Sequence, residues 1–119
     1  MPDTPRFSPV NVVSVGEATM LFVSGITAGT AAPYDTEAQT QIVFDKIRAL
    51  LQSHGADCHD IRKITVFLTD IREYAQFSQV RNQVFADMEL PPASSAVEAR
   101  LGSPSVRVEI EAIAVRRNV

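Results

Sequence analysis

Apolar and polar residues change period several times along the chain, and each change marks an element. Asn11–Val15 and Met20–Gly25 are rich in β-branched and apolar residues and are joined through Gly16-Glu17-Ala18-Thr19, which predicts a β-hairpin. Leu21, Phe22 and Val23 follow one another without a polar break, the pattern of a strand buried on both faces. Ile26–Tyr34 is a loop of small residues. The period then lengthens to that of a helix: Val43, Ile47, Leu50 and Leu51 form a stripe that Phe44 widens, and Gly55 supplies a stop. Thr36 and Gln39 have the spacing of a capping box at its start.

Ile61–Asp70 holds the densest β-branched and aromatic run, Ile64 to Leu68, and is expected as a central strand. A second helix is expected from Asp70, with Tyr74, Phe77, Val80, Val84, Phe85 and Met88 on one stripe and Pro91-Pro92 ending it. Two further strands, Ser94–Ala99 and Ser105–Ala114, flank a Gly102–Pro104 turn. The last alternates Val106, Val108, Ile110 and Ala112 against Arg107, Glu109 and Glu111, so it shows an apolar face and a charged one. The order is β-β-α-β-α-β-β, an α+β class with a mixed sheet and two helices on one face. The opposite face then carries too many apolar residues to stay wet, and self-association is the natural way to cover it.

The whole chain, residues 1–119, is expected as one domain, long enough to bury roughly two-thirds of its unfolded surface without a metal or disulfide. The single cysteine, Cys58, rules out an intrachain disulfide and suits a reducing compartment, so a cytoplasmic location is expected. A net charge of −3 with scattered basic residues disfavours nucleic-acid partners, and no apolar stretch is long enough for a membrane span. His54, Cys58 and His59 match no zinc spacing, and the Gly25–Gly29 region no phosphate-binding fingerprint, so neither metal nor cofactor is expected. Ser94 and Ser95 have no histidine placed to activate them as nucleophiles.

Six segments in order resemble the Rid family (RidA/YjgF, also labelled endoribonuclease L-PSP). They are LFVSG at Leu21–Gly25, AQT at Ala38–Thr40, ITVFLTDI at Ile64–Ile71, Tyr74-Ala75-Gln76-Phe77, the Pro92–Glu98 run, and VEIEAIAV at Val108–Val115. The resemblance implies a chorismate-mutase-like fold, a homotrimer, small-molecule clefts between subunits, and hydrolysis of enamines and imines such as 2-aminoacrylate. That reaction needs a fixed substrate carboxylate, an aimed water and a proton shuttle.

The chain departs from the family pattern at the carboxylate anchor. Where the family places an arginine after Pro-Ala, this chain has Ser94, and where a cysteine often follows it has Ala96. The family's Gly-Pro-Tyr becomes Ser8-Pro9-Val10, and an asparagine of the second helix becomes Arg81. Glu109, which opens the EIEA run, is kept, and the resemblance makes it the candidate for orienting water. Arg81 borders the apolar stripe and is the candidate to replace the missing charge. Ser94, Ser95, Gly25, Ile26, Val10 and Ala96 complete the candidate ligand-binding set. An imine or enamine hydrolase acting on an atypical substrate is one expectation; a binding protein that has lost the chemistry is the other. The family's ribonuclease label finds no support in an acidic chain without a basic stripe.

Overall fold

The computed structural model describes residues 4–118. Five strands and two helices follow in the expected order: β1 (Val10–Val15), β2 (Ala18–Thr27), α1 (Thr36–Gln52), β3 (Ile61–Leu68), α2 (Tyr74–Val84), β4 (Ala93–Glu98) and β5 (Val108–Arg117). The sheet order is β1-β2-β5-β3-β4, antiparallel throughout except for the parallel β3–β4 pair, which α2 bridges. Gly16 and Glu17 form the β1–β2 turn. Of these two residues only Gly16 has positive φ, +58°, as a II′-type hairpin requires of its first central residue.

The alternation of β5 sorts the sheet into two faces. Val108, Ile110, Ala112 and Ala114 are buried beneath the helices, with Ile64, Val66 and Leu68 of β3 and Leu21 and Val23 of β2 beside them. Val43, Phe44, Ile47 and Leu51 of α1 and Phe77 and Val80 of α2 close this core, and Phe44 meets Phe85 edge-on at 5.7 Å. The other face is bare in a single chain. Phe22, expected to be buried, is 37% exposed there because no layer covers β2 on that side. Among the described residues no helix is long and apolar enough to cross a membrane.

Four local expectations are corrected. The N-cap of α1 is Asp35, whose carboxylate accepts from the Ala38 N–H at 2.7 Å. Thr36 instead donates to Glu73, and the fully buried Gln39 amide donates to the carbonyls of Pro33 and Ser105, at 2.8 and 2.9 Å, while accepting from the Arg107 N–H at 2.8 Å. Those bonds hold residues 105–107 away from a strand ladder, so β5 starts at Val108 rather than Ser105. Asp70 caps a 3₁₀ turn, Ile71–Glu73, and α2 proper begins only at Tyr74. That helix ends at Val84, well before the prolines, because tight bonds from Ala86 to Gln83 and from Met88 to Phe85 unwind it.

Arg107 does not balance Glu109. It pairs with Glu73 at 2.7 Å, donates to the Tyr34 hydroxyl at 2.7 Å and stacks on the Tyr34 ring. The Arg107 guanidinium first, and the Thr36 hydroxyl second, hold the Glu73 carboxyl below its usual range. A depressed folded-state pKa contributes stability that is complete above the unfolded value, near 4.3, and is lost as pH falls through the folded one. Glu73 is 32% exposed, so the low part of the range for charged hydrogen bonds applies. Arg107→Met is expected to cost about 2 kcal/mol at pH 7, and less at pH 3. Urea melts of both proteins at the two pH values measure this, and a penalty independent of pH would refute the linkage.

Candidate functional site

Arg81 lies on α2, one turn beyond Phe77, facing the β4 edge. Its guanidinium stacks on the Tyr74 and Phe77 rings, 5.6 and 5.3 Å from their centroids. Every N–H of the group is directed at a neutral acceptor. Nη1 donates to the Tyr74 hydroxyl at 2.8 Å, Nη2 to Ser78 Oγ at 2.8 Å, and Nε and Nη2 to Asn82 Oδ1 at 3.2 and 3.1 Å. The remaining contact, Nη1 to Ser94 Oγ at 3.5 Å, is long enough to be weak. Among the described residues Arg81 forms no ion pair, so its charge is fixed in place but not neutralised.

The cleft at this point has a volume of about 400 Å³ and runs from Arg81 and Ser94 past Phe85, Met88 and Pro92. Ser94 reaches it because it pairs with Ile64 in the parallel ladder and so points to the helix side of the sheet. Ala96, two residues on, shares that side and packs partly on the core. Ser95 points the other way, in register with Thr65.

Glu109 also lies on the bare face. Its neighbours in register are Thr27 on β2 and Phe67 on β3, while flanking Val108 and Ile110 point into the core. Beside it β2 bulges between Val23 and Ile26, an extra residue on one strand that delivers Gly25 against the Glu109 side chain. A Cβ on Gly25 would come within 2.9 Å of Glu109 Cδ, so only glycine leaves the carboxylate where it is. Glu109 forms no ion pair among the described residues.

Ile26 pairs with Ile110 and turns to the helix side, where it lines a separate groove with Phe7, Pro9, Lys46 and Leu50. Val10 begins the edge strand β1 and packs partly on the core, and the preceding Ser8-Pro9 segment is laced to Ser24 through bonds of 2.6 and 2.9 Å.

The candidate residues therefore fall into two main groups in one chain. Arg81, Ser94 and Ala96 sit on the helix side at the β4 edge, and Glu109 with Gly25 sits on the bare face. The structure does not bring Arg81 and Glu109 together within one copy. The residues that hold Arg81 are not legible as its partners in the sequence: Tyr74 falls in the apolar stripe and in the family segment Tyr74–Phe77, and Ser78 and Asn82 are not singled out. The offsets of Ser78 and Tyr74, three and seven residues before Arg81, put them on its side of the helix and were the available signal; Asn82, next in sequence, offered none.

Cys58 is buried, and burial first of all raises its thiol pKa, which makes it a poor nucleophile. His59 turns away to Asp87 at 3.1 Å, and His54 faces the Leu50 carbonyl at 2.9 Å. Among the described residues no three histidine, cysteine, aspartate or glutamate side chains are grouped to hold a metal.

The chain is similar to several known proteins. Residues 4–116 match the family model described as Endoribonuclease L-PSP. The 2-iminobutanoate/2-iminopropanoate deaminase of Escherichia coli is 36% identical over 86 residues, covering 71% of this chain and 67% of that one. TdcF of Escherichia coli is 33% identical over 110 residues, 88% of this chain and 85% of TdcF. A RutC family protein of Pyrococcus abyssi is 35% identical over 82 residues, and there the match spans 63% of the relative's length and 69% of this chain. The crystal structure of TdcF with bound serine superposes with a TM-score of 0.79 at 31% identity, covering 96% of this chain and 91% of the other. That of the YjgF gene product from Escherichia coli gives 0.77 at 34% identity, covering 89% and 86%.

Proposed function

We propose, from the premise that the chain belongs to the Endoribonuclease L-PSP (Rid/YjgF) family, that it is a homotrimer of a branch without the usual carboxylate-binding arginine. Its clefts between subunits bind a small carboxylate-bearing metabolite and hydrolyse an imine or enamine to a keto acid and ammonia. The observation that carries this is the caged, un-neutralised guanidinium of Arg81 beside the Ser94 hydroxyl. An imine deaminase among the relatives and a relative crystallised with serine favour the same class of ligand.

In this scheme a ligand carboxylate displaces the weak Arg81–Ser94 contact and accepts from both groups. One oxygen takes Nη1–H, and another takes the hydroxyl. The stacked guanidinium supplies charge rather than a free fork, so the anchor is weaker than a bidentate pair. Glu109 then comes from a neighbouring copy, whose bare face turns its carboxylate toward the first copy's β4 edge. That arrangement would explain why the two groups occupy opposite faces of one sheet. Glu109 takes a proton from water as the oxygen adds to the imine carbon. Returned to nitrogen, that proton completes the carbinolamine; a second transfer through Glu109, from the new hydroxyl to the amine, lets the carbon–nitrogen bond break as the carbonyl forms and ammonia leaves.

Ammonia release from imines generated from a panel of amino acids tests the scheme. Wild type is expected to accelerate release for at least one of them. Arg81→Gln should lower kcat/KM by about tenfold or more through a raised KM, and Glu109→Gln should lower kcat. If keto acids bind with Arg81-dependent affinity yet no imine turns over, the protein is a binding module that has lost the chemistry. Unchanged kinetics or affinity in Arg81→Gln would overturn the site itself.

A further inference from the structure

The wall of the Arg81 cleft carries more information than its charged end. Beyond Arg81, Asn82 and Ser94 the lining is apolar: Phe85, Ala86, Met88, Pro91 and Pro92. Phe85 is fixed in the core against Phe44, and Pro91-Pro92, in the connection between α2 and β4, form the far rim with their backbone φ fixed by their rings. The nearest acids in sequence do not reach this wall. Asp87 is turned to His59, and Glu89 is not among the lining residues. One cation at the mouth and an apolar wall behind it form a socket for an anion with an apolar body.

A methyl-sized ligand would leave that wall in water. A branched or aromatic side chain would cover it while its carboxylate stayed at Arg81 and Ser94. We propose that the ligands of this site are 2-imino acids, and their 2-oxo acid products, with large apolar side chains of the leucine or phenylalanine kind. This rests on the assignment of the Arg81 cleft as the ligand site and adds which substrates it selects. The reaction supplying them is a two-electron oxidation of the carbon–nitrogen bond of an apolar amino acid, its hydride passing to a flavin or nicotinamide acceptor on the supplying enzyme.

The test is calorimetric titration of the full chain with pyruvate, 4-methyl-2-oxopentanoate and phenylpyruvate, which share the carboxylate and differ only in the side chain. The two larger acids are expected to bind about tenfold or more tightly than pyruvate, since each extra buried methylene favours binding several-fold. Met88→Gln should reduce that ratio, because it puts an amide in the apolar wall at nearly constant volume. Arg81→Gln should weaken all three acids together. Equal affinities for the three acids would overturn the preference while leaving the Arg81 site standing. Should none bind, or all bind independently of Arg81, both the preference and the site would fall.

Discussion

Two impaired variants, Arg81→Ala and Glu109→Gln, should regain about a quarter of wild-type kcat/KM when they are unfolded together at equal amounts and refolded as mixed oligomers. The expectation follows from the faces of the sheet. Arg81 and Ser94 lie on the helix side, and Glu109 lies on the bare side of the same chain. If each site takes its guanidinium from one copy and its carboxylate from the next, a site is whole only when the first copy carries Glu109→Gln and the second Arg81→Ala. Each condition is met half the time. Refolded separately and then mixed cold, the variants should show no such recovery. Failure to recover activity in folded mixed oligomers would mean that the two groups never serve one site.

Restoring the family's anchor should have the next largest effect. In Ser94→Arg alone, the new guanidinium would lie against that of Arg81, whose Nη1 is 3.5 Å from Ser94 Oγ. Two like charges at such a distance repel by about 1–4 kcal/mol, depending on how much water remains between them. The double variant Arg81→Asn with Ser94→Arg removes the clash and matches the family pattern at both positions. It should hydrolyse the imine of 2-aminoacrylate about 10- to 100-fold faster than wild type, the worth of one charge-assisted bidentate pair. The single variant should gain far less. Fast 2-aminoacrylate hydrolysis by the unaltered protein would show that Arg81 and Ser94 already do the work of the fork.

The sequence carried the element order because each element has its own period. Alternation in 108–114 and the stripe from Val43 to Leu51 would be hard to read any other way. Element ends were less legible, since side chains distant in sequence decide them. Gln39 reaches Ser105 and Arg107 and delays β5, while Asp35 takes the cap that Thr36 gives up to Glu73.

At the candidate site, Phe77 and Val84 marked Arg81 as a border residue of its helix, and the structure stacks it on the Phe77 ring. Hidden in the sequence was the parity between strands that are not neighbours in the chain. Ser94 and Glu109 each alternate legibly within their own strand. Only the register of β3 against both β4 and β5 reveals that they point apart. The same holds for the bulge at Gly25, which has no local signature beyond the glycine itself.

Gln39 has a consequence for how this chain can drift over time. Its amide spends both hydrogens and its oxygen on main-chain atoms of two loops. Glutamate would keep the reach but lose the donor, methionine would lose donor and acceptor alike, and asparagine would fall a carbon short. Exchanges at exposed Glu37 and Gln41 face no such demand. A lineage that abandoned this glutamine would first have to redraw the path from Gly102 to Arg107.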